Sequence, residues 1–188
     1  QLGDRFQTGM KVGNIGQAYA EIGQYERAER HLRKAIELCR QVEDVSGLSD
    51  VLTTLGQVLL YQGQVPAART LFNESLEVAL KAQSAYSEMR SRIYLGMAKL
   101  EGGEPAESAL QEGSIATELS RRSDMPQGVV FGLMVMARAL SSLGKKEEAL
   151  QRSSEAMALV ATGTPIVGVE EALHEHAKVL RDLGRTTE

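Results

Sequence analysis

The sequence of 188 residues is poor in the residues that anchor many globular cores. It has no Trp and only 4% aromatic residues, so a core must be built from Ala, Leu, Val, Ile and Met. A single cysteine, Cys39, excludes an intramolecular disulfide and paired-cysteine zinc sites. Four prolines leave room for long helices, and no run approaches the roughly 18 apolar residues of a membrane span. We therefore predict a helical protein that does not enter a membrane.

The charge balance excludes another class of partner. The formal net charge is −4, whereas nucleic-acid binding usually needs a clustered basic face. We predict no nucleic-acid partner. The lone thiol fits a reducing compartment, and the expected location is the cytoplasm.

Five glycines recur at nearly constant spacing. They are Gly23, Gly63, Gly103, Gly144 and Gly184, separated by 40, 40, 41 and 40 residues. Seven residues before each of them lies a small residue: Gly16, Gly56, Gly96, Ala137 and Ala177. One extra residue in a turn near Glu104 and Pro105 accounts for the spacing of 41, because every later position then falls into register. The chain is therefore built from internal repeats, which point to a repeat architecture.

Each repeat has the pattern of two helices. Apolar residues follow i, i+3, i+4, i+7 spacing, and the recurring glycine suits the left-handed position just after a helix. Ser46, Ser84, Asp124 and Thr164 are candidate caps between repeats. The pattern predicts helices at about 5–22, 25–43, 47–62, 65–82, 85–101, 105–121, 126–143, 146–161 and 166–183.

These helices must stack to bury their apolar faces. The small residue before each turn lets the second helix of a repeat approach the first closely, and the alanines at 28, 68, 109 and 149 do the same from the other side. No single pair can form a core alone. We predict one domain over 1–188, with repeats at about 5–44, 45–84, 85–124 and 125–164 and a terminal helix at 166–183.

The pattern Ile15-Gly16…Tyr19…Gly23…Tyr25…Ala28…Leu32…Ala35 resembles the tetratricopeptide repeat signature. The usual period of that repeat is about 34 residues. The longer period here is similar to the long-helix subgroup found in kinesin light chains and in bacterial regulators of the maltose-activator type. The resemblance implies an all-α, right-handed α-solenoid of about nine helices, formed by four repeats and a final first helix. It also implies a scaffold without catalytic residues, metal or other cofactor.

The resemblance further implies that a protein or peptide segment binds in a concave groove lined by the first helices. Carried over position by position, the groove residues that we predict are Asn14, Gln17, Thr53, Gln57, Tyr61, Arg90, Ile93, Tyr94, Met97, Phe131, Met134 and Arg138. The middle of this set is apolar, and exposed apolar patches often mark interaction sites. The alternative is that these apolar side chains pack against neighbouring helices.

The sequence does not favour two more specific kinds of binding site. A carboxylate clamp of the kind found in some tetratricopeptide domains would need several basic residues, and only Arg90 is of the required type. The stretch "HEH" at 174–176 suggests a metal, but a second motif on another helix is missing and the two histidines point to different faces. We therefore expect a binding module and not an enzyme.

A regulatory or oligomerisation segment of a larger signalling protein is the alternative function. The chain opens with Gln1, and its last helix is followed by a turn glycine where a further helix would come. We accordingly expect a piece of a longer protein. Leu173, Leu180 and Leu183 on the terminal helix could then pair with a second copy of the chain.

Overall fold

The computed structural model describes residues 2–163, 166, 169–182 and 184. Within these residues the chain forms only helices, turns and short connections. The helices are α1 (Leu2–Glu21), α2 (Tyr25–Gln41), α3 (Val45–Tyr61), α4 (Val65–Lys81), α5 (Ala85–Glu101), α6 (Ala106–Arg122), α7 (Pro126–Ser142), α8 (Lys146–Ala161) and α9 (Val169–Asp182). The predicted all-α class and helix-pair repeat are confirmed, and most helix ends lie within three residues of the prediction.

The chain forms two compact units, residues 1–94 and 95–188. In unit 1, α1 packs on α2, α2 on α3, and α3 on α4. In unit 2, α7 packs on α6 and α8, and α9 contacts both α7 and α8. Each unit is thus a stack of neighbouring helix pairs, while the single domain and its right-handed course stay predictions.

The recurring glycines end the first helix of each repeat. Gly23, Gly63, Gly103, Gly144 and Gly184 all have positive φ, between 70° and 76°. A Cβ is disfavoured in this left-handed conformation, which explains why glycine recurs there. The predicted role of these glycines is confirmed.

The ends of α2, α4 and α6 use the same conformation without glycine, whereas α8 is followed by Gly163 with φ of 77°. Glu43, Gln83 and Asp124 have φ of 56°, 52° and 52°. Asp124 therefore lies outside α7 and does not cap it, and Ser46 lies inside α3, whose cap is Asp44 accepting from the Gly47 amide. Both predicted caps were wrong, whereas Ser84 does accept from the Ser87 amide. Thr164 lies outside the described residues.

Replacing Gln83 with Gly is expected to raise the free energy of unfolding by about 0.5–1 kcal/mol. The left-handed conformation costs a residue with a Cβ about 1–2 kcal/mol, and the extra flexibility of glycine in the unfolded chain offsets part of the gain. Urea unfolding followed by circular dichroism would measure the change. Gln83→Ala is the control, since it keeps a Cβ, and an equal gain in both variants would contradict the explanation.

Small residues control the packing within the units. A Cβ at Gly16 would lie 2.7 Å from Cγ of Leu32, which shows how closely α2 approaches α1. Gly113 and Gly132 bring α6 and α7 together in the same way, since a Cβ at Gly113 would lie 3.0 Å from the Gly132 carbonyl oxygen. Because Gly113 has no side chain, the helices α6 and α7 can cross closely at this position.

A cluster of buried hydroxyls lies between α3, α4 and α5 in unit 1. The Ser75 hydroxyl is 2.7 Å from that of Thr53 and 2.8 Å from that of Ser91. Ser75 also donates to the Ser49 carbonyl at 2.8 Å. All four residues are almost completely buried, and the hydrogen bonds offset the cost of removing the hydroxyls from water.

Cys39 is a small core residue. Its side chain is buried on α2. Burial raises the pKa of the Cys39 thiol to about 11, and the nearby Asp44 carboxylate adds to this effect. The thiol is therefore neutral at physiological pH.

Candidate functional site

One face of the first helices carries most of the predicted groove positions. Residues at i, i+4, i+7 and i+11 share a helix face, and the repeat places the same four positions on each first helix. In unit 1 this first-helix face is formed by Met10, Asn14, Gln17, Glu21, Asp50, Thr54, Gln57, Tyr61, Arg90 and Tyr94. The face therefore spans α1, α3 and the beginning of α5.

An ion pair joins α3 to α5 at one end of this face. Arg90 Nη1 donates to Asp50 Oδ1 at 3.3 Å, and the Ser87 hydroxyl donates to the same oxygen at 3.4 Å. The Arg90 guanidinium also lies 5.7 Å from the centre of the Tyr86 ring, within the range of a cation–π interaction. Asp50 thus fixes the arginine beside an aromatic ring that is 53% exposed.

The Asp50 carboxyl is partly withdrawn from water. Burial raises its pKa above the usual range, although the positive charge of Arg90 and the hydrogen bond from Ser87 pull the pKa down. The net direction shows that desolvation outweighs these two contacts. Asp50 is therefore a carboxylate for which an additional hydrogen-bond donor would be favourable.

Amides and a second aromatic ring occupy the other end of the face. Tyr61 is 56% exposed, and its ring stacks on Tyr25 with centroids 6.0 Å apart. Gln17 donates to Glu21 at 3.0 Å, while Gln57 is half-buried on α3. An exposed ring that is supported by a second ring is held in one orientation before any partner arrives.

In unit 2 the corresponding positions carry a network of charges. Arg138 Nη2 donates to Glu101 at 2.8 Å, and Arg138 Nε lies 3.1 Å from Glu175 Oε2. The latter contact is electrostatic, since this buried oxygen has no hydrogen-bond partner. Lys178 donates to the other oxygen of Glu175 at 2.8 Å. The network therefore connects α5, α7 and α9.

The structure separates the predicted groove residues into two groups. Asn14, Gln17 and Tyr61 are exposed, while Gln57, Arg90, Tyr94 and Arg138 are half-buried. The remaining predicted residues are buried, with exposed fractions of 0–6%; they are Thr53, Ile93, Met97, Phe131 and Met134. The apolar middle is therefore not an exposed patch, and the packing alternative describes these side chains. Their role in binding stays a prediction.

The repeat pattern itself contained a signal for this burial. Thr53, Ile93 and Met134 share one repeat position, which is Gly13 in the first repeat. A Cβ at Gly13 would already lie 3.3 Å from Val51, so this position points at a neighbouring helix. Asp50 was not among the residues predicted from the sequence. This residue precedes Arg90 by 40 residues, so the two lie at equivalent positions of successive first helices. Opposite charges at such positions predict an ion pair.

Two of the suspected metal residues, Glu175 and His176, have other contacts. His176 Nδ1 lies 2.7 Å from the Ser153 hydroxyl, and burial lowers the pKa of His176. The Glu171 side chain lies outside the described residues. Across the residues with described positions, no three His, Cys, Asp or Glu side chains are grouped as a metal site requires. None of the helices in these ranges has the length and apolar content to cross a membrane.

The geometry places the protein in the class of stacked antiparallel helix pairs. The family model of the tetratricopeptide repeat matches residues 8–81, which cover most of α1 and all of α2–α4. The first two helix pairs therefore match the tetratricopeptide repeat, and the resemblance seen in the sequence is confirmed. A comparison with curated protein sequences found no match.

Several solved structures have the same fold. Aspartyl phosphate phosphatase F from Bacillus subtilis has 16% identity and a TM-score of 0.77, and the alignment covers 94% of this chain and 46% of that one. BtubC from P. vanneervenii has 14% identity and a TM-score of 0.73, with 98% and 81% covered. A putative kinesin light chain from Podosopora anserina has 16% identity and a TM-score of 0.68, with 94% and 86% covered.

These likenesses bear on the fold and not on a particular activity. The chain spans less than half the length of the phosphatase, and all three identities are below 20%. The long-helix resemblance to kinesin light chains is confirmed, whereas that to maltose-activator regulators stays a prediction. The architecture shared with these structures is a stack of antiparallel helix pairs.

Proposed function

We propose that the chain is a protein-interaction module that binds a protein segment along the first-helix face of unit 1. The observation that carries this proposal is the presence of oriented, solvent-accessible groups on three successive first helices. Asn14 and Gln17 lie on α1, Gln57 and Tyr61 on α3, and Arg90 on α5. Amide side chains can bond a peptide backbone without demanding a particular sequence.

The length of the face sets the size of the segment. Asp50 and Tyr61 are 11 residues apart on α3, which corresponds to roughly 16 Å at 1.5 Å per residue. An extended chain covers this distance in about five residues. The segment would contact Arg90 and the Tyr86 ring at one end and Tyr61 at the other.

The burial of the predicted apolar groove residues favours binding through the polar and aromatic groups of the first-helix face over binding through an apolar stripe. Met134 has no exposed surface, so a partner could reach it only by opening the core. Tyr and Arg are enriched among residues that dominate binding energies, and Tyr61 and Arg90 are both held in place by neighbours, Tyr25 and Asp50.

The experiment is a selection of random peptides against the intact chain, followed by affinity measurements by fluorescence polarisation. We expect Tyr61→Ala to weaken binding of the selected peptides at least tenfold. Leu80→Ala is the matched control, because Leu80 on α4 is 49% exposed and lies on a second helix. Equal affinities for the wild type and the Tyr61→Ala variant would refute a site on this face.

The exposure of the terminal helix favours a second candidate, self-association within a larger regulatory protein. Leu173 on α9 is 49% exposed, and Ala177 on the same helix is exposed. Leu183 lies outside the described residues. Light scattering would show a mass that rises with concentration if α9 forms a homodimer, and Leu173→Lys should abolish the rise. A constant monomer mass would exclude the dimer.

A further inference from the structure

Unit 2 contains a cavity of about 450 Å³ that the proposed function does not use. It lies between the C-terminal end of α6, the start of α7 and the last turns of α8. Its lining is mainly apolar, with Met125, Pro126 and Val129 from the start of α7 and Ala158 and Leu159 from α8. Both its size and its lining are typical of small-molecule sites.

The sequence explains why the cavity is open. Ala158 occupies a repeat position that is Glu37, Glu77 and Glu118 in the three preceding second helices. Four residues later, Thr162 occupies a position that is Lys81 in α4 and Arg122 in α6. Long side chains of this kind cover apolar surface with their stems. The short residues at these two positions of the fourth repeat leave the apolar lining uncovered.

The rim of the cavity contains an arginine that a ligand could use. Arg121 Nη2 contacts Glu155 Oε1, while Glu155 Oε2 accepts from Arg152 at 3.2 Å. The Arg121 side chain is 53% exposed, so its ion pair with Glu155 contributes little. A carboxylate from a ligand could replace Glu155 at Arg121, since Glu155 would keep Arg152 as its partner. Asp124 also lines the cavity, which with Glu155 gives the lining two carboxylates and one guanidinium. This charge balance disfavours a ligand with more than one anionic group.

We propose that this cavity binds a small aliphatic monocarboxylic acid. The hydrocarbon chain would lie against Met125, Val129 and Leu159, and the carboxylate would pair with Arg121. Burial of the chain provides the affinity, and the charged hydrogen bond from the guanidinium orients the ligand. The site lies on the second-helix side of unit 2 and is independent of the first-helix face of unit 1.

The test uses octanoate and 1-octanol as probes of the full chain, with affinities from calorimetry and the site located by amide chemical shifts. Octanoate is expected to bind saturably and to shift amides within 120–129 and 155–162. Ala158→Glu, which restores the residue of the other repeats, should weaken binding at least tenfold. Arg121→Gln should weaken octanoate about tenfold and leave 1-octanol unchanged.

Arg40→Gln is the matched control, since Arg40 pairs with Glu74 in unit 1 at the position equivalent to Arg121. Circular dichroism verifies that each variant is folded. The proposal is overturned by an absence of saturable octanoate binding, which is also the result expected if the cavity takes a side chain of a partner protein. Shifts confined to α1 or α9, or equal losses in Arg40→Gln and Arg121→Gln, would overturn it as well.

Discussion

Replacing Arg138 with Met is expected to lower the free energy of unfolding by about 3 kcal/mol. Arg138 lies between Glu101 and Glu175, and the side chains of Arg138 and Glu175 are only 19% and 7% exposed. Without the guanidinium, the buried Glu175 carboxylate would retain Lys178 alone. A buried charge that loses a partner keeps its desolvation cost and loses the attraction that offset it.

Urea unfolding followed by circular dichroism would measure this loss. The double variant Arg138→Met/Glu175→Met should recover most of it, because an apolar pair removes both buried charges. Glu101→Gln should cost less than about 1 kcal/mol, since the Glu101 side chain is 44% exposed. A double variant as unstable as the single one would show that packing, and not the buried charge, determines the effect.

The helix pairs could be predicted from the sequence because one structural constraint repeats five times. Glycine is required wherever the backbone turns into the left-handed region, and the spacing of Gly23, Gly63 and Gly103 therefore locates the first helices directly. The ends of α2, α4 and α6 lacked this signal, unlike the end of α8, which is followed by Gly163. Glu43 and Gln83 adopt the same conformation, and their side chains give no indication of it.

The predicted groove was only partly recovered because a position carried over from the family resemblance does not state which neighbouring helix covers it. Thr53 was carried over by its repeat position as a groove residue, yet it lies in the buried cluster with Ser75 and Ser91. Met134 and Ile93 occupy the same repeat position and are buried as well. The apolar character of these residues was visible in the sequence, whereas the helix that covers them was not.

A comparison of equivalent positions in the repeats is more informative where the residue in one repeat differs from the residues in the others. Asp50 and Arg90 carry opposite charges at one position and form an ion pair between successive first helices. Ala158 stands where three other second helices have Glu, and a cavity opens beside it. Differences of this kind could be read from the sequence once the register of the repeats is known. They point to sites that a pattern common to the whole family does not contain.

Replacing Gly132 with Ala is expected to lower the free energy of unfolding by about 2–3 kcal/mol. A Cβ at Gly132 would overlap the Thr117 hydroxyl, and it would lie 3.0 Å from the Thr117 amide nitrogen and 3.1 Å from the Gly113 carbonyl oxygen. The two backbone atoms cannot rotate away as a side chain could. The helices α6 and α7 must therefore move apart to admit the methyl group.

Two controls separate this clash from the ordinary effect of adding a methyl group to a helix. Gly3→Ala should not destabilise the chain, because no heavy atom outside the local helix lies within 4 Å of the added Cβ and alanine favours the helix. Adding Thr117→Ala to Gly132→Ala should restore little stability, since both backbone contacts remain. Full recovery in that double variant would mean that the Thr117 hydroxyl was the obstacle.

The same substitution connects the packing of unit 2 to its proposed ligand site. Gly132 lies on α7 between Val129, which lines the cavity, and Arg138, which joins the charge network. A shift of α7 away from α6 would move Val129 relative to Arg121 on α6. We therefore expect Gly132→Ala to weaken octanoate binding under conditions in which the protein stays folded. Gly3→Ala should leave the octanoate affinity unchanged, and equal affinities in the two variants would show that the crossing of α6 and α7 does not position the cavity.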